Sequence, residues 1–191
     1  MGPVPNGPTP DEELRASRID GSLPPTEPVV LVEYDPEWPR LYAREEARIR
    51  VAIGETAVQV EHVGSTSIPG LAAKPIVDIV LVVPDSADEP AYVPALEAAG
   101  YVHRIREPDW FEHRVLKGID PKVNLHVFSP GCPEVERMLR FRDHLRRDEH
   151  DRDLYERTKR ELAQRDWKYV QHYADAKSDV VEEILKRARA K

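Results

Sequence analysis

Two short stretches of the chain carry side chains able to bind phosphate and a metal ion. The first is residues 61–67, where a β-branched run ends in Gly64, Ser65, Thr66 and Ser67. A glycine after a strand permits close approach of the backbone to a ligand, and successive N–H groups with hydroxyls form a cradle for phosphate oxygens. A plain polar turn between two elements is the alternative interpretation of these residues. A second feature must therefore decide between a cradle and a turn.

That second feature is Asp78, the one charge inside the apolar run of residues 75–84. Removing a carboxylate from water is costly unless the group is paired or bound to a metal ion. One interpretation is structural, because an arginine such as Arg114, or the amides of the glycine loop, can pair with Asp78. The other is functional and makes Asp78 a metal ligand beside the phosphate cradle.

Histidines and further acids lie on or beside predicted strands and can complete a single-metal site. The sequence leaves open which of them converge, and a hydrogen-bonded structural imidazole is the alternative for each histidine. Histidine ligands shift the metal preference from Mg²⁺ toward Mn²⁺, Zn²⁺ or another transition ion. The residues in question are Glu61, His62, Asp78, Glu112, His113 and His126.

Basic side chains near these stretches can neutralise a bound phosphate or carboxylate. Each can equally be a surface charge in an ion pair, and for Lys177 we favour the surface interpretation. The candidates are Lys74, Arg114, Arg142 and Lys177. Trp110 and Phe111 lie between two predicted strands, where they can stack on a ring of the ligand or simply cap the core.

The elements that must position these residues follow from hydrophobic periodicity. An apolar stripe after Asp35 and Pro36 predicts one helix, and residues 57–63, 75–84, 101–106, 112–117 and 122–128 read as strands, with a short helix over residues 92–99. From Pro133 onward three apolar stripes predict helices. We therefore predict an α/β (α+β) fold, a mixed β-sheet with an N-terminal helix and a C-terminal helical layer. Residues 29–34 also read as a strand.

Composition limits the domain organisation and the class of function. Residues 1–28 hold seven of the 18 prolines and read as a flexible arm, which leaves residues 29–191 as one domain. The formal net charge of −7 disfavours a nucleic-acid partner. A single cysteine, no secretory signal and no apolar run of about 20 residues favour a cytoplasmic protein without a membrane partner. The predicted partner is a small-molecule substrate, and the oligomeric state is left open.

Residues 61–78 as a whole resemble the signature segment of the GrpB family, whose fold is similar to that of nucleotidyltransferases. Further segments agree in order, and the resemblance covers about residues 29–188. These segments are residues 111–114, 124–128, 141–146, 159–162 and 173–177.

The resemblance implies a core in which a Gly-Ser loop holds a nucleoside triphosphate and acids on neighbouring strands hold a divalent metal ion. Asp78 falls at the first acid, but the second position on the same strand face is Val80, and His126 occupies the region expected of a third acid. The resemblance assigns catalysis to Asp78, Ser65 and His126, phosphate binding to Gly64, Ser65, Thr66, Ser67, Lys74 and Arg114, and metal binding (Mg, Mn or Zn) to Asp78, His126, His62 and Glu61.

Three functions are compatible with these residues. The first is a metal-dependent nucleotidyltransferase-like enzyme of small-molecule metabolism that binds a nucleotide or another phosphorylated molecule. The second is a single-metal enzyme in which histidine and Asp78 hold one ion for hydrolysis, condensation or cyclisation, and the valine at position 80 supports it. The third is a non-catalytic, ligand-binding member of the fold. The chain has no Gly-x-x-x-x-Gly-Lys-[Ser/Thr] loop, so it carries no such kinase motif.

Overall fold

Residues 7–189 are described by the structure, a computed structural model. This part of the chain contains five strands and seven α-helices. The five strands and the helices before them and at residues 92–99 occur in the predicted order, whereas the helix at Asp11–Ala16 was not predicted and four helices rather than three are found from Pro133 onward. The helices are α1 Asp11–Ala16, α2 Trp38–Ile53, α3 Val93–Ala98, α4 Pro133–Arg147, α5 Glu149–Ala163, α6 Val170–Asp175 and α7 Ser178–Arg189. The strands are β1 Gln59–Val63, β2 Val77–Val82, β3 Val102–Glu107, β4 His113–Gly118 and β5 Val123–Phe128. Single 3-10 turns cover Gly54–Thr56, Ser65–Ser67 and Glu89–Ala91.

The strands form one mixed sheet in the order β1-β2-β5-β4-β3. β2 and β5 run parallel, and the other neighbouring pairs are antiparallel. β2 is an almost wholly buried strand because both faces of the sheet are covered there. The mixed sheet, the N-terminal helix and the C-terminal helical layer confirm the predicted fold class.

Each face of the sheet packs against a different set of helices. On one face, Ile79 and Leu81 of β2 join a core that includes Ile49 of α2 and Leu96 of α3. On the other face lies a smaller cluster formed by Val63, Val80, Val82, Phe128, Cys132 and Val135, the last from α4. Because side chains alternate between the faces along a strand, Asp78 lies on the same face as Val80 and under the C-terminal helices.

The C-terminal helices are tied to the loop that follows β1. Ile68 and Leu71 of that loop are buried against Leu145, Tyr155 and Ile184 of α4, α5 and α7. The side chain of Asp148 accepts a hydrogen bond of 3.0 Å from the amide of Asp151 and so caps α5. This packing places α5 beside the loop that carries Gly64.

The N-terminal segment differs from the flexible arm that the composition predicts. Residues 1–6 of that arm lie outside the described residues. Within the described part, Leu14 of α1 is buried, the amide of Ile19 donates to the carbonyl of Arg104 beside β3, and Thr9 donates to Asp175. The segment is therefore ordered by contacts with the domain, which its own composition cannot reveal. Residues 29–34, predicted as a strand, form a single bridge between Val32 and Ala73.

No helix among residues 7–189 is long and apolar enough to cross a membrane.

Replacing Tyr101 by phenylalanine tests how α2 is fixed to the sheet. The Tyr101 hydroxyl donates a hydrogen bond of 2.7 Å to the carboxylate of Glu45, which is 0% exposed. Losing a hydrogen bond to a buried charged group costs about 1.5–3 kcal/mol, so we expect Tyr101→Phe to lower the free energy of unfolding by that amount. Urea denaturation measures it.

Tyr92→Phe is the matched control, because the Tyr92 hydroxyl donates to the neutral carbonyl of Ser86 at 2.8 Å. Its removal should cost only about 0.5–1.5 kcal/mol. Equal losses for the two variants would show that the charge on Glu45 adds nothing.

Candidate functional site

Gly64 and Asp78 are in direct contact at the end of β1. The register pairs Val63 of β1 with Asp78 of β2, so the residue after Val63 passes over the carboxylate. Gly64 has φ 68° and ψ −174°, a conformation found essentially only for glycine. A Cβ added to Gly64 would lie 2.9 Å from the Cβ of Asp78 and closer still to its carboxylate. The structure therefore brings the predicted loop and the predicted acid together.

The hydroxyl groups of the loop divide into two kinds. Thr66 donates to the carbonyl of Ile76 at 3.2 Å, and Ser67 donates to the carbonyl of Gly64 at 2.6 Å, so both buried side chains hold the loop itself. Ser65 is half-buried, and its hydroxyl accepts a hydrogen bond of 3.2 Å from Lys159. Among the three predicted phosphate-binding hydroxyls, Ser65 is the one that faces the site.

The Asp78 carboxyl group is 28% exposed and is held from β5. The side-chain amide of Asn124, its partner in the register, donates to Oδ1 at 2.8 Å. Burial raises the pKa of Asp78, while the bond from Asn124 and the charges of Lys74 and Lys177 oppose the rise. Nε2 of His126 lies 4.0 Å from the same oxygen, Oδ1. The carboxyl group thus faces cations rather than further acids.

Lys159 of α5 is a buried lysine at the edge of the site. Lys159 is 1% exposed, and its Nζ donates hydrogen bonds to the hydroxyl of Ser65 and to the carbonyl of Ala72. Nζ also lies 4.9 Å from the centre of the Tyr155 ring. Burial, together with the charge of Lys177, lowers the pKa of Lys159 to about 7. No carboxylate among residues 7–189 forms an ion pair with this amine.

Lys74 and Lys177 approach Asp78 from the segments before β2 and before α7. Both amines lie over the ring of Tyr173, at 5.6 Å and 4.6 Å from its centre. Burial lowers the pKa of each lysine to about 8. The charge of Lys177 lowers the pKa of Lys74 further, whereas the charge of Asp78 raises the pKa of both lysines. The charges of Lys74, Lys177 and Lys117 therefore act on one carboxyl group, and Lys159 lies next to it on Ser65. That excess of positive charge favours an anionic ligand.

Two predicted site residues lie on the opposite face of the sheet. His62 pairs with Ile79, so its ring is on the opposite face of the sheet, stacked on Tyr42 at 4.8 Å and hydrogen-bonded to Thr66 at 3.0 Å. Burial and two arginines lower its pKa to about 4. Arg114 is also on that opposite face, because it pairs with Val127. Neighbouring side chains of a strand point to opposite faces, so the sheet separates His62 and Arg114 from Asp78.

The charged partners of the remaining candidates explain their roles. Arg114 binds Glu89 at 2.5 Å and Glu112 at 3.0 Å, so it is neutralised within the protein and is not paired with Asp78. Glu61 shares the face of Asp78, since it pairs with Val80, but its carboxylate binds Arg142 at 2.8 Å. The structure thus unites Gly64, Ser65, Asp78, His126 and Lys74, and leaves Glu61 and Arg114 occupied.

These residues do not fit a resident metal ion. Asp78 and His126 are only two ligand residues, Oδ1 of Asp78 already accepts from Asn124, and the charges of Lys74 and Lys177 oppose a further cation. Among residues 7–189, one group brings three potential ligand residues together, and it lies apart from Asp78, at His144, Asp148 and Asp151. There His144 and Asp151 bind each other at 2.6 Å, and Arg187 binds Asp151 at 2.7 Å.

Sequence reasoning missed Lys159 and Asn124. Lys159 follows Tyr155 by four residues and precedes Leu162 by three, so it lies on the buried stripe of α5. A lysine on an apolar stripe was the available signal. Asn124 is the residue of β5 that pairs with Asp78, and only the strand order reveals that pairing.

Comparison with known proteins gives consistent matches along the chain. A family model described as GrpB protein matches residues 28–187. A UPF0157 protein of Halalkalibacterium halodurans is 62% identical over 183 residues, which are 96% of this chain and 94% of that protein. A UPF0157 protein of Streptomyces coelicolor is 49% identical over 160 residues, 84% of each chain. The crystal structure of GrpB from Enterococcus faecalis has a TM-score of 0.74 and 29% identity, and the match covers 83% of this chain and 96% of that one.

Substituting Gly64 tests the contact with Asp78. We expect Gly64→Ala to lower the free energy of unfolding by at least about 1 kcal/mol more than Gly70→Ala, because overpacking adds about 1–3 kcal/mol to the backbone strain. Gly70 is the matched control, since its φ is 79° and an added Cβ would meet nothing within 4 Å. Denaturant unfolding of both variants gives the difference, and equal losses would contradict the contact.

Replacing Lys159 by methionine tests the burial of its amine. With a folded pKa of about 7 and an ordinary value of 10.5, the unfolded chain binds more protons between these pH values, so wild-type stability rises with pH across that window. The variant lacks this rise. The stability of Lys159→Met relative to wild type should therefore be higher at pH 6 than at pH 9, as measured by urea denaturation.

Lys168→Met is the control for this pH effect. Lys168 is exposed, and its ion pair with Asp11 raises its pKa. It stays charged in both states at pH 6 and at pH 9, so its substitution should show no such pH trend. The same trend in both variants would disprove the assignment to Lys159.

Proposed function

Since the chain belongs to the GrpB protein family, as its resemblance in sequence suggested, we propose that it binds a nucleotide or another phosphorylated small molecule beside Asp78 and transfers a phosphorus-containing group. The single observation that carries the proposal is the cluster of buried lysines around the Gly64 loop, with Lys74 and Lys177 beside the Asp78 carboxyl group and Lys159 on Ser65. A nucleotidyltransferase-like activity is the specific form of it that the family resemblance favours.

The lysines supply what a phosphate chain requires. Each ammonium group can donate up to three hydrogen bonds to phosphate oxygens, and a bound anion favours protonation of the amines whose pKa burial lowers to about 7 or 8. Ser65 adds a hydroxyl next to Lys159, and Gly64 allows the phosphate close to the backbone. Charge neutralisation of this kind lowers the barrier for departure of a phosphate leaving group.

Asp78 has a different part, because a carboxylate repels phosphate. On its own face of the sheet it lies next to His126, whereas Lys159 bonds Ser65. It is therefore suited to orient the group that attacks the bound phosphate.

A second function, ligand binding without transfer, is favoured by the residue at position 80. Val80 is 0% exposed and occupies the position of the second carboxylate that the family resemblance implies. An aliphatic side chain there cannot bridge two metal ions. Release of pyrophosphate or phosphate separates the two functions, since the non-catalytic protein would bind ligand and release neither.

Nucleotide binding is tested by thermal unfolding and calorimetry with ATP, GTP, CTP and UTP, with and without Mg²⁺. We expect at least one of them to stabilise the protein, by about 2.7 kcal/mol at 100 times its Kd. Lys177→Met should weaken the affinity roughly tenfold or more, because a charge-assisted hydrogen bond is worth about 1.5–3 kcal/mol.

Lys168→Met removes the same charge from the protein surface and should leave the affinity unchanged. Absence of stabilisation by every triphosphate, and by inorganic pyrophosphate, would contradict the proposal. Equal weakening in Lys168→Met and Lys177→Met would reduce it to a non-specific effect of net charge.

A further inference from the structure

Three side chains beside Asp78 form a continuous hydrogen-bonded relay, which we define as Glu107, His113 and His126. Nδ1 of His113 lies 2.7 Å from the Glu107 carboxylate, and Nε2 of His113 lies 3.1 Å from Nδ1 of His126. The last atom of the relay, Nε2 of His126, faces Asp78. The relay therefore runs from the end of β3 across β4 to the site on β5.

The middle ring of the relay is rigidly held. The His113 side chain is 4% exposed, its ring stacks on Phe128 at 4.6 Å, and the edge of Trp110 packs against it at 5.0 Å. The turn before it contains Phe111 and Glu112, both with positive φ, at 55° and 50°. A backbone held in this uncommon region is a recurrent feature of functional sites. The turn places His113 directly beside Glu107.

The hydrogen-bond partners determine where the protons lie. An ionised carboxylate only accepts hydrogen bonds, so Nδ1 of His113 carries a proton. Burial lowers the pKa of both histidines, and each neutral ring has a single N–H. Nε2 of His113 is then an acceptor, and Nδ1 of His126 must be the donor. The lone pair of His126 is consequently on Nε2, toward Asp78.

Two hydrogen-bond acceptors thus face each other. Oδ1 of Asp78 accepts from Asn124, and Nε2 of His126 has no hydrogen-bond partner among residues 7–189. Their separation of 4.0 Å allows one donor atom to lie at hydrogen-bond distance from both. A hydroxyl or amine group fits there, whereas a phosphate oxygen would meet two acceptors.

We propose that Glu107 and His113 fix the orientation and tautomer of His126, so that His126 and Asp78 together hold the hydroxyl or amine of an acceptor substrate and His126 takes its proton. This inference rests on the proposed function. The acceptor's X–H bond breaks, its proton moves to Nε2 of His126, an X–P bond forms, and the P–O bond to the leaving phosphate breaks with both electrons remaining on oxygen. Glu107 stabilises the resulting imidazolium through His113, and Lys159 and Lys177 neutralise the departing phosphate.

The tautomer of His126 is the direct test, read from long-range ¹H–¹⁵N NMR spectra of the full-length protein. Wild type should show an unprotonated Nε2 on His126. Glu107→Leu removes the acceptor that orients His113, so the Nε2-protonated form of His126 should rise from a trace to a large fraction. Glu107→Gln retains an acceptor oxygen and should restore the wild-type tautomer, an outcome that a purely structural role would not produce.

His103→Phe is the control histidine variant, because His103 bonds the carbonyl of Ile105 outside the relay. It should leave the His126 signals unchanged. A protonated Nε2 in wild type, or an unchanged tautomer in Glu107→Leu, would overturn the proposal. So would stoichiometric broadening of the His126 signals by Mn²⁺ alone, since the gap would then hold a cation.

Nucleotide affinity distinguishes this proposal from the function on which it rests. ATP affinity should change less than twofold in Glu107→Leu, because the relay contacts the acceptor and not the phosphate. If none of the four triphosphates and no pyrophosphate binds wild type while the tautomer responds as expected, the proposed nucleotide function fails and the positioning of His126 stands. If Glu107→Leu both lowers the ATP affinity and changes the tautomer of His126, the site as a whole is disrupted. That result would contradict a positioning role.

Discussion

The contact between Gly64 and Asp78 is the constraint on which the site depends. The Asp78 carboxyl group lies directly against Gly64, where the backbone conformation requires glycine, so the loop after β1 packs onto β2. The pairing of Val63 with Asp78 fixes the register of the two strands at this point. Partial burial makes the carboxyl group costly to ionise, and the lysines around it offset that cost. Lys177 comes from the C-terminal layer, which also brings Lys159 to Ser65, so the helical layer completes the site as well as covering the sheet.

The two faces of the sheet separate structural charges from those of the site. Arg114 and Glu89 bind each other on one face, where burial opposes ionisation but the ion pairs with Arg106 and Arg114 lower the pKa of Glu89 to about 2. On the other face, Asp78 has no arginine partner among residues 7–189, and Lys159 has no acid. Charges that are paired within the protein are already neutralised, whereas buried charges without such partners create affinity for a ligand. The difference between paired and unpaired charges therefore identifies the candidate site better than residue type alone does.

Which histidine reaches the site is decided by the alternation of side chains along a strand. His62 and His126 both lie inside a strand, and each is followed by a valine. His62 pairs with Ile79, whereas His126 pairs with Val80 and shares the face of Asp78. The family membership and the fold class predicted from the sequence are confirmed, and the predicted proximity of the Gly64 loop to Asp78 is present in the structure.

The sequence by itself predicted the five strands of the sheet and the helices that cover it, because hydrophobic periodicity and turn residues are local. It also singled out Asp78, because a charged residue within an apolar strand is visible from the sequence alone. Strand order, register and helix docking are long-range properties, and they alone decided the rest. The pairing of β2 with β5 brought Asn124 and His126 to Asp78, the docking of α5 brought Lys159 to Ser65, and the turn before β4 joined His113 to Glu107. These contacts span up to 94 residues of sequence, a separation over which local patterns carry no information.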